Sequence, residues 1–161
     1  MFTAQNRTSV NHNYFLSVQT HITAKHRQQA VEWLLDVCRE EHCEPDVFPL
    51  SVSYIDRFLA LQNIFRDNLQ TLASACLFIA SKVKAAQPLQ AKRIAYYTDG
   101  GVPSRAILVS STKVFVSFFK FHSLINSHFF RFSIVKFVFF SRNEIFSSFL
   151  NLCFCRRLFV H

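Results

Sequence analysis

Residues 67–84 read DNLQTLASACLFIASKVK, and no charge interrupts them from Asn68 to Ser81. Leu69, Leu72, Ala73, Cys76, Leu77, Phe78, Ile79, Ala80 and Val83 go all the way round a helical wheel instead of keeping to one stripe. A helix that is apolar on nearly every side belongs inside a bundle. Fourteen uncharged residues make a rod of about 21 Å, short of the roughly 20 residues that a membrane crossing requires. Ala73, Ser74, Ala75, Ala80 and Ser81 are small and let neighbouring helices approach along several lines. This stretch is expected to be the core helix.

The periodic runs on either side are helical too. Lys25 to Glu41 places Val31, Leu34, Leu35 and Cys38 at the i, i+3, i+4, i+7 spacing, with Ala30, Trp33 and Val37 widening the stripe. His42 to Val47 contains Pro45 and reads as a connection. Asp46 is placed to cap the next helix, Pro49 suits its first turn, and Leu50, Tyr54, Phe58 and Leu61 run along one side. After Lys84 the chain breaks at Pro88, Leu89 to Tyr97 makes a shorter helix, and Asp99-Gly100-Gly101 ends it. Pro103 and Ser104 start another helix, continued by Ala106, Ile107 and Leu108. Towards the N-terminus, Tyr14 to Ile22 allows a short helix, and residues 1–13 are polar, aperiodic and expected to be flexible.

Composition splits the chain in two. Up to Ser111 the charges nearly balance, 11 Lys+Arg against 9 Asp+Glu; from Thr112 they stand at 7 against 1, and 14 of the 20 Phe lie in that part. The overall charge of +8 therefore belongs mostly to the tail. Two glycines, both in one turn, and four prolines argue against a fold of many hairpins. Residues 1–15 have no apolar core of the signal-peptide kind, and five cysteines without a secretory context are expected to be free thiols in an intracellular chain.

YFLSVQTHI at 14–22, HRQQAVEWLLDVCREEHCEPDVFPLSVSYIDRFLAL at 26–61, NLQTLASACLFIASKVKAAQPL at 68–89 and YTD at 97–99 together resemble the N-terminal cyclin box, most closely that of D-type (G1/S-specific) cyclins. YIDRFL followed by ASACLFIASK is the most specific part of the likeness. The resemblance covers residues 14–108 and implies an all-α fold, a helical bundle around a central third helix. It leaves the fifth helix incomplete and gives way to a Phe-rich tail over 109–161. It also implies that the chain is not an enzyme and uses no cofactor. The expected role is a regulatory subunit of a G1-class cyclin-dependent kinase at the G1/S transition, in nucleus and cytoplasm. Cyclins act by pushing the kinase's mobile helix inward so that its own Lys–Glu pair forms.

The resemblance assigns roles residue by residue. Lys82, with Val83 beside it, matches the family's kinase-contacting ASK lysine. Its usual glutamate partner falls one or two residues past Leu108, where this chain has Val109-Ser110-Ser111, and Ala85 replaces a further common acid. Arg27 and Asp56 match a buried pair between the box's first two helices; stranding one partner of such a pair costs about 3–5 kcal/mol. Trp33, Asp36, Leu69 and Gln70 fall where cyclins form a groove for docking peptides of substrates or inhibitors, although Gln29 and Ala30 stand at its usually apolar floor and His26 at its edge. The Leu-x-Cys-x-Glu motif usual near the start of D-type cyclins is not found in residues 1–25.

Other chemistries find no motif: there is no glycine-rich phosphate loop, no HExxH and no GxSxG, and no cysteine pairing suggests a metal. In the tail, Lys113, Lys120, Arg131, Lys136 and Arg142 interrupt every apolar run, and basic and aromatic residues interleave without an amphipathic period. Neither membrane nor nucleic acid is an expected partner. The T-rich codons of Phe, Ser, Leu, Ile and Val, and a Val109-Ser110 pair that GTA-AGT can encode, suggest that 109–161 is translated intron. A second reading is a truncated, non-activating cyclin fragment that competes for kinase or substrate.

Overall fold

The apolar periods of the sequence become six α-helices and one 3-10 turn in residues 14–122, the part of the chain that the computed structural model describes. They are α1 (Tyr14–Ser17), α2 (Ala24–Glu40), α3 (Val47–Leu59), the 3-10 turn (Arg66–Asn68), α4 (Leu69–Lys84), α5 (Ala91–Tyr96) and α6 (Ser104–His122). No strand occurs among the described residues. The expected flexible segment 1–13 and the tail beyond His122 lie outside them.

α4 is the axis of the domain. Every residue from Leu72 to Ser81 is buried, because α2, α3, α5 and α6 all pack against it, α3 and α6 most extensively. Leu34 on α2, Ile55 and Leu59 on α3, Leu77 on α4, and Ile94 and Ile107 on α5 and α6 are fully buried. Each such side chain stabilises the fold by about 1.5–3 kcal/mol relative to exposure. The small residues work as their size suggests. Ser81 Oγ donates to the Phe78 carbonyl at 2.9 Å and accepts from Leu89 N–H at 3.3 Å, which holds the chain where it leaves α4. Ser74 Oγ is buried with no hydrogen-bond partner.

Helix ends show where local chemistry was sufficient and where it was not. α2 starts in a capping box: Thr23 Oγ1 accepts from His26 N–H at 3.4 Å, and His26 Nδ1 accepts from Thr23 N–H at 3.3 Å. Asp46 occupies the N-cap position of α3 but makes no cap hydrogen bond. Its backbone is already helical, and its carboxylate pairs with Lys84 at 3.3 Å. α1 is shorter than the helix expected over 14–22. Gln19 explains the remainder, since it donates to the Leu59 and Gln62 carbonyls at 2.5 and 2.7 Å and accepts from Ile64 N–H at 3.3 Å. The segment after α1 thus serves the free carbonyls at the end of α3.

The fifth helix of the bundle differs from expectation. α6 does not stop near Leu108 but continues to His122. No glycine or proline interrupts residues 104–122, and Ile107, Ser111, Val114 and Ser117 form a buried stripe at helical spacing. Ser111 and Thr112 hydroxyls donate back to the Leu108 carbonyl at 2.7 and 3.1 Å, a satisfied arrangement for polar side chains inside a helix. Ser111 and Ser117 are small residues on the buried face of α6, the helix that packs extensively against α4.

Candidate functional site

Two faces carry the residues singled out by the sequence. The first is the C-terminal end of α4. Lys82 is half-buried with its Nζ 4.4 Å from the centre of the Phe78 ring, and burial lowers its pKa. A cation over an aromatic face is held electrostatically by the ring quadrupole. Val83 beside it is half-buried, and Lys84 is turned to Asp46. The chain then extends at Ala85, where Glu44 accepts from Ala86 N–H at 2.8 Å. On α6, Val109 and Val116 are 49% and 42% exposed. No acidic residue occurs anywhere from Ser104 to His122.

The second face is a groove between α2 and the start of α4, an open cavity of about 270 Å³ lined by His26, Gln29, Ala30, Trp33, Arg66, Leu69 and Gln70. Trp33 is half-buried and fixed by its Nε1–H, which donates to the Tyr97 carbonyl at 3.2 Å. Gln70 lies beside Gly101, where a side chain would meet the Thr98 carbonyl at 3.1 Å and Gln70 Oε1 at 3.5 Å. Trp33, Leu69 and Gln70 are therefore brought together. Asp36 is not: it lies outside the lining, exposed, 3.6 Å from Arg39. Arg66 enters the groove from the 3-10 turn, so the lining holds His26 and Arg66 but no carboxylate.

Between these faces the domain is tied by two polar clusters. Arg27 Nε and Nη2 reach Asp56 Oδ1 and Oδ2 at 2.5 and 2.7 Å, and Tyr14 OH donates to Oδ1 at 2.9 Å. The bidentate pair leaves only 23% of the Arg27 and 10% of the Asp56 side chain exposed. Hydrogen bonding to Asp56 raises the Arg27 pKa, while burial and then the Asp56 charge raise that of Tyr14. The second cluster left no signal in the sequence. Glu41 at the end of α2 accepts from Arg93 Nε and Tyr97 OH, both at 2.5 Å, and so fastens α5 to α2. Burial opposes its ionisation, but the bonds from Tyr97 and Arg93 outweigh that and lower its pKa.

Among the described residues no group of three or more His, Cys, Asp or Glu could hold a metal ion, and no helix is long and apolar enough to cross a membrane. What the geometry offers is a helical bundle with an open groove at Trp33 and a half-buried lysine at the end of α4. Residues 1–122 match the family described as the cyclin N-terminal domain. The chain belongs to the cyclin family. This cyclin domain is 51% identical over 98 residues to the G1/S-specific cyclin-D of Caenorhabditis elegans, covering 61% of this chain and 24% of that protein. To the human G1/S-specific cyclin-D1 it is 37% identical over 108 residues, 67% of this chain and 37% of the relative. A solved viral cyclin from herpesvirus saimiri superposes with a TM-score of 0.59 at 25% identity, over 62% of this chain and 44% of that one. The chain thus spans between about a quarter and two fifths of the curated relatives' length. The all-α bundle around a central helix is the cyclin-box fold, and the family consists of non-catalytic kinase regulators. The match runs beyond Leu108 to His122, where α6 ends.

Proposed function

We propose that this chain is a regulatory subunit of a G1-class cyclin-dependent kinase, acting in nucleus and cytoplasm by positioning the kinase's mobile helix from the face carrying Lys82 and Val83. The observation that carries the reading is the 51% identity to a G1/S-specific cyclin-D across the box. Lys82 supports it: a half-buried lysine whose charged form is disfavoured gains from a carboxylate brought by a partner. The groove of Trp33, Leu69 and Gln70 would take docking peptides of substrates or inhibitors, without Asp36.

One observation favours the second reading, a non-activating product that competes for kinase or substrate. α6 has no acid to stand beside Lys82, yet Ser111, Val114 and Ser117 pack as part of the domain. That packing supports a domain that includes the α6 stripe through Ser117. The experiment is a kinase pull-down and activity assay with the full chain beside Val109→Glu, an exposed position at which the family acid can be restored. Binding without activation that Val109→Glu converts to activation, and that Lys82→Ala then abolishes, supports both the face and the second reading. Failure of every form to bind a G1-class kinase overturns the first.

A further inference from the structure

The end of α2 places two thiols together by backbone geometry alone. Past the C-cap residue Glu41, His42 adopts φ +48°, and its N–H donates to the Arg39 carbonyl at 3.2 Å. Cys43 N–H donates to the Cys38 carbonyl at 2.9 Å. This six-to-one and five-to-two pair of bonds is a Schellman motif, whose geometry brings the side chain three residues before the cap against the one two residues after it. Those two positions are Cys38 and Cys43. An apolar contact frequently fills them; here both positions carry free thiols.

Cys38 is buried and Cys43 half-buried, and both line an open cavity of about 450 Å³ whose walls include Leu35, Arg39, Pro45 and Phe48. Burial pushes the Cys38 thiol up to about 12. Burial raises the Cys43 thiol too; the Cys38 hydrogen bond offsets part of this, and the Glu41 and Glu44 charges add to it. Cys43 is the more exposed sulfur, the one that a solute in the cavity meets first, and Cys38 is the one placed to follow. Neither is a fast nucleophile, and the reaction is slow and dose-dependent.

We propose that Cys38 and Cys43 form a reversible dithiol–disulfide site, entered from this cavity by small peroxides. The Cys43 thiolate attacks one oxygen of hydrogen peroxide, the O–O bond breaks, and the departing hydroxide takes up a proton as water, leaving a sulfenic acid. Cys38 sulfur then attacks the sulfenic sulfur; the S–O bond breaks, the thiol proton leaves with the hydroxyl as a second water, and the disulfide remains. The linked segment, residues 38–43, continues directly into Glu44 and Asp46, which hold Ala86 and Lys84 at the end of α4.

Arg39 lies between the two cysteines, so trypsin separates residues 28–39 from 40–57 unless a disulfide joins them. The full chain is treated with hydrogen peroxide, blocked with iodoacetamide, digested and mapped by mass spectrometry. The expected result is a joined 28–39/40–57 species lighter by two hydrogens than its separate peptides, lost on reduction, absent in Cys43→Ser and retained in His42→Gly, which keeps the left-handed turn. Because the motif holds the thiols together, the ratio of disulfide to dimedone-trapped Cys43 sulfenic acid is expected to fall at least about tenfold in urea, whatever the rate of the first step. Circular dichroism checks that Cys43→Ser folds. The same ratio of disulfide to trapped sulfenic acid in urea as in buffer, pairing of Cys43 only with Cys153 or Cys155, or two separately alkylated cysteines after peroxide would each overturn the site, leaving an ordinary helix cap.

Discussion

α4 and α6 lie against each other, yet they are buried in opposite ways. α4 is enclosed on all sides from Leu72 to Ser81, whereas α6 buries one stripe and leaves Val109 and Val116 in the open. Apolar content therefore does not tell a core helix from a helix that covers it; the distribution round the wheel does. The enclosed helix maintains the shape and carries half-buried Lys82 in its last turn, while the one-sided helix turns Val109 and Val116 outward and holds no acidic residue.

The polar clasp that ties α2 to α3 around α4 sets the largest effect. Asp56→Ala strands the Arg27 guanidinium and leaves Tyr14 OH without its carboxylate, and a loss of about 3–5 kcal/mol is expected in urea denaturation. A smaller loss would mean that water reaches the clasp. The two helices can then be weighed directly: Leu77→Ala in α4 and Ile107→Ala in α6 are both fully buried and should each cost about 2–5 kcal/mol. If Ile107→Ala costs nothing while Leu77→Ala costs its full share, α6 does not pack in solution as described.

The clasp that holds α5 is sensitive to pH. The Glu41 pKa is lowered in the folded chain, so the unfolded chain binds the proton more readily. Its stabilising contribution is present above the ordinary carboxylate range and is lost as pH falls through the depressed value. Wild type should therefore lose stability more steeply with acid than Glu41→Gln, followed by thermal melts across that range. Parallel profiles would show that Arg93 and Tyr97 do not favour the charged form. The smallest effect belongs to the unpartnered hydroxyl of α4: Ser74→Ala should leave stability unchanged within about 1 kcal/mol or raise it, because it removes a buried group with no bond to lose. A marked loss would reveal a partner for Ser74 Oγ.

The helix from Leu69, the flanking helices and the cyclin family were legible in the sequence because periodicity and motif spacing are local. The lack of any acidic residue from Ser104 to His122 was legible for the same reason. The Schellman contact of Cys38 and Cys43 was only half so, since sequence shows the spacing but not the positive φ of His42.

What the sequence by itself determined was which stretches hold helices, which helix is central and which family the chain belongs to. What only the tertiary structure decided was pairing at a distance. Trp33 is anchored by a carbonyl 64 residues away and Glu41 by side chains 52 and 56 residues away. Asp46 prefers Lys84, 38 residues on, to the cap beside it. The extent of α6 belongs here as well. A serine at a helical position is neutral by itself, and it becomes favourable only when a neighbour such as α4 comes close enough to need a small side chain.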